Sequence, residues 1–286
     1  MKSLTYAITG ANGQIGSFLT AFLRKQGHTV YELVRRQEKA IDPIFYKLFD
    51  LSQPDKIPSL QGVDVLIHAA HYFDTTDKNY SVINIAGTQK LFQQARQDVV
   101  PYSIFISTLS AHAAASSLYG QVKYQLERII QKENMKAIII RPGLVLHSPL
   151  QGIAAAMDNF IKRYPIVPLI GRGKQLIYPC LLEDLVQSIY LLSVKQQIVT
   201  QPILAATEKG LTFKQLVKYL AFQRQKRVLL FPIPFSGIYY LLKLIEFFGI
   251  PFKIRSDSLL GIHYADPHPD FSATKNLGLS FSVLNI

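Results

Sequence analysis

The sequence predicts an α/β protein with a doubly wound, mostly parallel sheet and a smaller, mainly helical region towards its C-terminal end. Three observations support this fold class. The chain opens on an apolar, β-type run that ends in three evenly spaced glycines. Short apolar runs then alternate with helix-period segments as far as about residue 150, a pattern typical of repeated strand–helix units. Beyond that point the alternation becomes irregular, which indicates a second, differently built region.

The first strand, turn and helix occupy residues 4–27. A β-type run leads to Gly10, and helical periodicity follows and stops near Gly27. Gly10 would allow a tight turn, Gly13 would let the backbone approach a pyrophosphate, and Gly16 would let helix and strand pack closely. The helix N-terminus would offer free N–H groups and its positive dipole end to phosphate. This unit therefore predicts a dinucleotide site, with a tight turn that binds nothing as the alternative.

The second strand, residues 28–34, ends at two basic residues. In dinucleotide-binding folds an acidic residue near this point holds the ribose hydroxyls and favours NAD, whereas an arginine suits a 2′-phosphate. Arg35 is therefore the candidate selector of NADP(H), with Arg36 or Lys39 assisting. A solvated basic turn is the alternative.

Another strand end and the helix after it carry further candidates. The apolar run at residues 63–68 leads to Ala69 and Ala70, whose small side chains would let a cofactor pass close over the strand end. His68 could equally be a functional residue or a core histidine at the strand end, and we assign it no chemistry. Asn84 lies in a predicted helix, where asparagine is mildly unfavourable. That position favours a specific role, with a surface asparagine as the alternative.

A tyrosine–lysine pair carries the predicted chemistry. Tyr119 and Lys123 are four residues apart, so on a helix they share one face. An ammonium beside a phenol lowers the pKa of the phenol and stabilises phenolate. The tyrosine could then exchange a proton with a substrate hydroxyl while a hydride moves. Hydroxyl side chains occur where the preceding strand should end, at Ser107, Thr108 and Ser110.

The order of these motifs resembles one known family over the first two-thirds of the chain. Six motifs are similar to those of the extended and atypical short-chain dehydrogenase/reductases, the NAD(P)-dependent epimerase/dehydratase family. They are the glycine turn, the strand ending in His-Ala-Ala, Asn84-x-x-Gly-Thr, Ser107-Thr108, Tyr119-x-x-x-Lys123 and Arg141-Pro-Gly-x-Val. The resemblance implies a Rossmann-type fold and an enzyme that moves hydride at a secondary alcohol or ketone carbon.

The resemblance also implies roles for individual residues. Tyr119 would be the acid/base, Lys123 would lower its pKa and hold the nicotinamide ribose, and Thr108 would orient the substrate oxygen, with Ser110 as the alternative. Asp50 would meet adenine, although it could equally cap a turn. The implied cofactor contacts are Gly10, Asn12, Gly13, Gln14, Ile15, Arg35, Asp50, Leu51, Ala69, Ala70, Asn84, Tyr119, Lys123, Pro142, Gly143 and Val145. No metal is expected.

Two domains are predicted. We expect a Rossmann domain at residues 1–150, to which residues 176–207 return. Residues 151–175 and 208–286 would form a lobe that binds a small-molecule substrate.

A nucleotide sugar is the leading substrate class by resemblance, but the chain departs from that pattern at one point. Nucleotide-sugar members usually carry an arginine shortly after a Gly-x-Gly turn, where it grips the substrate diphosphate. This chain has Leu176, Ile177 and Tyr178 there, which is closer to atypical members such as the accessory subunit of respiratory complex I. The residues that could replace the missing charge are Arg163, Arg172 and Lys174. An NADPH-dependent, hydroxysteroid-like ketone reductase and a non-catalytic NADP(H)-binding scaffold or redox sensor are the alternatives.

Bulk properties narrow the range of partners. The formal net charge is +12, which attracts anionic ligands or surfaces. The sequence contains no zinc-ligand cluster, RNP-like motif or basic region with heptads, so nucleic-acid binding is not expected. The single cysteine, Cys180, lies in an apolar run and is expected to be buried. Because no signal peptide or membrane-spanning stretch is evident, a cytoplasmic location is expected.

The segment of residues 235–248 is apolar on nearly every side. It is predicted to be a core helix or homodimer contact, or else an interfacial helix whose Lys243, Lys253 and Arg255 face lipid headgroups. Peripheral membrane contact would then run through residues 228–255. His263 and His268, which have no metal-ligand partners at useful spacing, are predicted to lie in loops.

Overall fold

The computed structural model describes residues 3–36, 45–133, 135–249 and 255–284. The first elements in chain order are β1 (Thr5–Thr9), α1 (Gln14–Lys25), β2 (Thr29–Val34), β3 (Tyr46–Leu48), β4 (Val65–His68), α2 (Tyr80–Gln97), β5 (Tyr102–Ile106), α3 (Leu118–Lys132), β6 (Ala137–Pro142) and β7 (Leu144–Leu146). They are followed by α4 (Gly152–Arg163), β8 (Ile166–Ile170), β9 (Leu176–Ile177), β10 (Pro179–Leu181), α5 (Leu182–Lys195), β11 (Ile203–Ala205), β12 (Leu211–Thr212), α6 (Phe213–Gln223), β13 (Leu229–Ile233), α7 (Phe235–Phe247), α8 (Ser256–His263) and α9 (Ser272–Asn276).

Seven strands form one sheet in the order β11-β6-β5-β4-β1-β2-β3. The pairs from β3 through β6 are parallel, and the order reverses at β1, which lies between β2 and β4. Thr9, at the end of β1, is in register with Leu33 of β2 and His68 of β4. In doubly wound sheets, ligands bind beyond the carboxyl ends of the strands at such a reversal. The predicted fold class is confirmed.

The first of two compact units comprises Met1–Thr108, Val122–Arg141 and Leu185–Leu204. Every residue of β4 and β5 is buried, because the central strands of a parallel sheet are covered on both faces. The periodicity that predicts α1 is visible in its burial, since Leu19 and Leu23 face the core.

The second unit comprises Leu109–Gln121, Pro142–Asp184 and Ala205–Ile286. It contains three two-stranded sheets, β10-β7, β12-β9 and β13-β8, together with α4, α6, α7 and α8. These helices and β8 share an apolar core that includes Ile161, Leu169, Leu216, Leu242 and Leu259. Helix α6 begins at a capping box in which Thr212 and Gln215 satisfy each other's backbone N–H groups.

Strands β8 and β13 are absent from the prediction, because prolines in both segments suggest breaks in regular structure. The structure pairs them in parallel, with Pro168 opposite Phe231 and Pro232 opposite Leu169. Proline cannot donate to a ladder but is tolerated on edge strands. Both strands of a two-stranded sheet are edges, so the pairing accommodates the two prolines.

Three smaller expectations can also be compared with the structure. Cys180 is fully buried, as predicted. The loop prediction for His263 is wrong, because this residue ends α8 and its ring stacks on Phe235 with centroids 4.0 Å apart. No helix in the described part of the chain is long and apolar enough to cross a membrane.

Candidate functional site

The glycine turn after β1 has no room for side chains at two of its three glycines. Gly10 has a φ of +67°, and a Cβ there would lie 2.9 Å from the backbone N of Ala70. A Cβ on Gly16 would lie 2.2 Å from the carbonyl oxygen of Gly10. The N–H of Gly13 donates to that same oxygen at 2.8 Å. The turn therefore packs α1 and the exit of β4 directly against the end of β1.

The N-terminus of α1 is open to an anion. Its N-cap is Gly13, no side chain of the described residues caps it, and no acidic residue lies in its first turn. The first N–H groups of a helix have no partner within the helix, and its dipole is positive there. The side-chain Nε2 of Gln14 is buried and has no hydrogen-bond partner among the described residues. A bound phosphate would satisfy the N–H groups at the start of the helix.

A buried histidine joins β1, β4 and α2. The Oγ1 of Thr9 accepts from the N–H groups of Ala69 and Ala70, both at 3.1 Å, so its own proton goes to the Nδ1 of His68 at 2.6 Å. The Nε2–H of His68 then donates to Thr88 at 2.9 Å. Burial lowers the pKa of His68 to about 3, with Lys123 adding to the effect. This neutral histidine is structural and fixes the two alanines beyond β4.

The Asn84-x-x-Gly-Thr segment of α2 holds the exits of two strands. The side chain of Asn84 accepts from the N–H of Tyr72 at 2.9 Å and donates to its carbonyl oxygen at 3.0 Å. A Cβ on Gly87 would lie 2.5 Å from the carbonyl oxygen of Leu51. Asn84 thus fixes the backbone after β4, and Gly87 admits the backbone after β3. Thr88 completes the segment through His68.

The end of β2 and the turn after β3 carry the charged candidates of the first unit. Arg35 and Arg36 are exposed, and Lys39 lies outside the described residues. The Oδ1 of Asp50 accepts from the N–H of Ser52 at 2.9 Å and from its hydroxyl at 2.8 Å. Asp50 therefore caps its own turn through Oδ1, and its contact with adenine stays a prediction.

Lys123 is buried beside the end of β5. Its Nζ donates to the carbonyl oxygen of Ile106 at 2.7 Å and lies 4.6 Å from the ring centre of Phe105. Burial lowers the pKa of Lys123 to about 7, an effect that the carboxylate of Glu127 opposes. A lysine with such a pKa exchanges protons near neutral pH.

Glu127 organises the charges on the next turn of α3. It is buried and accepts a bidentate ion pair from Arg141, in which Nε to Oε1 is 2.9 Å. It also accepts from the hydroxyl of Ser107. Because Ser107 is committed to Glu127, the neighbouring Thr108 and the following Ser110 are the hydroxyl candidates. The prediction that Thr108 orients substrate stays a prediction.

The start of α3, which carries Tyr119, is held by the C-terminal part of the chain. The carboxylate of Asp257 on α8 accepts from the N–H of Leu118 at 2.6 Å and from that of Tyr119 at 3.2 Å. The hydroxyl of Ser117 accepts from the N–H of Gly120 at 3.1 Å. A Cβ on Gly120 would lie 2.4 Å from the carbonyl oxygen of Ser110, so this glycine lets the preceding loop pack against the helix.

The Pro142 to Val145 candidates lie beside β10. A Cβ on Gly143 would lie 1.9 Å from the carbonyl oxygen of Tyr178, so only glycine fits. The N–H of Leu144 donates to that oxygen at 2.8 Å, and Val145 is in register with Cys180. The backbone from 142 to 145 is therefore rigidly placed.

The structure thus gathers the predicted site residues into two groups. In the first unit, the glycine turn contacts Ala69 and Ala70, and α2 holds the backbones after β3 and β4. In the second unit, the start of α3 is fixed by α8, and residues 142–145 are fixed by β10. Among the described residues, no group of three or more histidine, cysteine or carboxylate side chains could hold a metal ion.

Sequence reasoning assigned no role to Thr9, Thr88, Glu127 or Asp257. Thr9 and Thr88 directly flank recognised glycine motifs, so their positions offered a local signal. Asp257 lies 139 residues from Leu118, and no spacing rule connects the two.

Comparisons with known proteins bear on the family and the fold. A profile of the NAD dependent epimerase/dehydratase family matches residues 6–193. A ceramide reductase of Caulobacter vibrioides is 26% identical over 174 residues, which cover 58% of this chain and 54% of that protein. The chain therefore aligns with only about half the length of that relative.

Two UDP-glucose 4-epimerases are similar over more of their length. The enzyme of Vibrio cholerae is 22% identical over 258 residues, which cover 79% of this chain and 78% of that protein. The solved structure of the enzyme of Thermotoga maritima, with UDP-glucose, has a TM-score of 0.74 and is 18% identical; the match covers 98% of this chain and 94% of that one. At that identity the likeness shows the fold.

Proposed function

The chain belongs to the NAD-dependent epimerase/dehydratase family, and from this premise we propose that it transfers hydride at a secondary alcohol or ketone carbon, with a nucleotide sugar as the leading substrate class. One observation carries the proposal. Helix α3 places Tyr119 in its first turn and the buried Lys123 four residues later. In this proposal residues 1–150 and 176–207 serve the cofactor, and residues 151–175 and 208–286 serve the substrate.

The residues around the glycine turn fit a dinucleotide. The open N-terminus of α1, with Gln14 and Ile15 in its first turn, would hold the pyrophosphate through backbone N–H groups. Ala69 and Ala70, fixed by Thr9, would let the rest of the cofactor lie close over the sheet. When bound, NAD(P) supplies or takes the hydride.

The side chains of α3 would carry out proton transfer to and from the substrate. Tyr119 would give or take the proton of the reacting substrate oxygen, and Thr108 would orient that oxygen. A charged Lys123 would favour phenolate, and its pKa of about 7 lets it take or release a proton near neutral pH. Glu127 would limit that shift by favouring the ammonium.

The end of β2 favours NADP(H). Glu32, the acidic residue of β2, is buried and paired with Arg24 at 2.7 Å, so it does not serve a ribose. Arg35 and Arg36 are exposed where the strand ends, and an arginine there suits a 2′-phosphate. We expect the purified protein to bind NADPH more tightly than NADH, which isothermal calorimetry would measure.

A reductase is the second candidate, and one observation favours it. At the position where a diphosphate-binding arginine is expected, Ile177 and Tyr178 are buried, and the hydroxyl of Tyr178 donates to the carbonyl oxygen of Pro267 at 2.8 Å. Residues 176–178 themselves carry no cationic side chain. The similarity to a ceramide reductase supports the same reading. A reductase exchanges its cofactor each turnover, whereas an epimerase recycles and retains it.

The test compares Tyr119→Phe with Tyr124→Phe, a matched control on the same helix. Both variants and the unaltered protein are assayed with UDP-sugars for epimerisation and with ketones for NADPH oxidation. We expect Tyr119→Phe to lose activity by about 100-fold or more and Tyr124→Phe to keep it. Equal activity of Tyr119→Phe and the unaltered protein would remove the acid/base role. NADPH binding without turnover of any substrate would favour the scaffold or sensor.

A further inference from the structure

Helix α7 is apolar on two faces. Its inward face packs into the core of the second unit through Phe235, Ile238, Tyr239, Leu242 and Ile245. A second set of apolar side chains is exposed at Tyr240, Leu241, Leu244, Phe247 and, directly after the helix, Phe248. Their spacing of one, four, seven and eight residues places them in one stripe. A surface helix ordinarily has one apolar stripe and one polar face, so the second stripe of α7 needs a partner.

The exposure of this stripe is large. Phe247 is 82% exposed and Tyr240 is 70% exposed. The same unit exposes further apolar side chains on its β13-β8 sheet, where Leu229 is in register with Ile166. Single exposed apolar side chains are normal, but grouped ones mark interaction sites. The exposed set on α7 is called the α7 face below.

The charges available to a partner of the α7 face are positive. Lys243 lies on α7 and its side chain is 53% exposed. Exposed basic residues also precede β13, at Lys226 and Arg227, and precede β8, at Lys162 and Arg163. They lie at the ends of the same paired strands that carry the exposed apolar side chains.

The acidic residue of α7 does not offset these charges. The carboxylate of Glu246 is mostly buried and accepts from the N–H of Ser256 at 2.6 Å and from its hydroxyl at 2.8 Å. Its distance to Lys243 is 3.8 Å, which makes a weak pair across one helical turn. Of the two charged side chains on α7, the exposed one is therefore basic.

We propose that the α7 face docks on an anionic lipid bilayer. Its aromatic and leucine side chains would enter the boundary between headgroups and acyl chains, while the basic side chains meet the headgroups. A second copy of the chain is disfavoured, because a two-fold contact brings the same patch, and hence the same positive charges, against itself. Lys253, which would add to the charge, lies outside the described residues. The proposal is independent of the reaction catalysed.

The test is sedimentation of the full-length protein with vesicles. One set contains phosphatidylcholine alone, and the other contains equal parts of phosphatidylcholine and phosphatidylglycerol. We expect at least about tenfold stronger binding to the anionic vesicles, weakened by added salt. The double variant Leu244→Ser/Phe247→Ser should lose about tenfold or more in binding, and Lys243→Gln about fivefold.

The control is Val82→Ser, which removes an exposed valine from α2 and should bind vesicles unchanged. Light scattering of the same proteins tests whether a second copy of the chain occupies the α7 face instead. A dimer that the double variant dissociates would overturn the proposal in favour of a second copy. Failure to bind anionic vesicles, or equal binding of both vesicle types, would overturn it as well. So would unchanged binding by the double variant.

Discussion

The N-termini of α1 and α3 both lie at predicted site residues, and the protein treats them in opposite ways. Helix α1 starts at a glycine, without a capping side chain among the described residues and without acid in its first turn. Helix α3 begins at Leu118, and its first N–H groups donate to the hydroxyl of the preceding Ser117 and to the carboxylate of Asp257. One helix end is left open, and the other is closed.

The difference separates ligand binding from positioning. An open helix end offers its first N–H groups to an anion. A closed end offers no donors to a ligand and instead fixes the residues of its first turn. We therefore propose that the pyrophosphate of a dinucleotide binds at α1 and that the closed end of α3 positions Tyr119.

The largest effect is expected from a variant that adds a capping side chain to the open N-terminus of α1. Gly13→Asp would place a carboxylate at the N-cap of α1, where the backbone φ of −81° suits any residue and a Cβ would lie 3.1 Å from the carbonyl oxygen of Gly10. We expect NADPH affinity to fall about 100-fold, because the carboxylate satisfies the donors and repels phosphate. Calorimetric titration with NADPH measures the loss.

Gly13→Asn is the matched control, since asparagine caps as well as aspartate but carries no charge. It should lose about tenfold at most. Equal affinities of both variants and the unaltered protein would show that phosphate does not bind at α1. The folded state of either variant is checked by its denaturation midpoint.

Low pH should destabilise the first unit through its buried histidines. Burial lowers the pKa of His68 to about 3 from an ordinary 6.5 and lowers that of His71 as well. The unfolded chain binds more protons below pH 6.5, so stability is lost as pH falls from there. We expect each histidine to contribute a slope of about 1.4 kcal/mol per pH unit. Urea denaturation across that range measures the slope, and His68→Gln should reduce it by one such contribution. An unchanged slope in the variant would contradict the buried neutral state.

The smallest effect is expected from opening α3. Asp257→Asn keeps the shape of the cap but removes the charge that complements the helix dipole. We expect the free energy of unfolding to fall by about 1 kcal/mol. Asp266→Asn is the control, because that carboxylate caps only its own turn at His268, and it should change stability by less than half as much. If both variants lose the same amount, the cap on α3 has no special weight.

Prediction from sequence succeeded where spacing along the chain carries the information. The strand, glycine turn and helix at the start of the chain follow from local periodicity, and the predicted helix that carries Asn84 is α2. The family resemblance, drawn from the order of short motifs, is confirmed by the profile match over residues 6–193. The catalytic and cofactor roles of the individual residues stay predictions.

Prediction failed where contacts join residues far apart in the chain, or where an edge strand tolerates a proline. The β8-β13 pair was missed because proline normally argues against a strand, and only the edge position permits it. For α7, periodicity alone could not choose between core and surface, since the segment is apolar all round. The fold resolved this by burying one stripe in the core of the second unit and exposing the other.

By itself, the sequence determined the elements whose causes are local. A glycine is required where φ is positive or backbones nearly touch, and a four-residue spacing puts Tyr119 and Lys123 on one side of a helix. The tertiary structure alone decided which donors are satisfied. Thr9 reaches His68 across 59 residues and Asp257 reaches Leu118 across 139. A hydrogen bond depends on distance in space, and that distance exists only after the chain has folded.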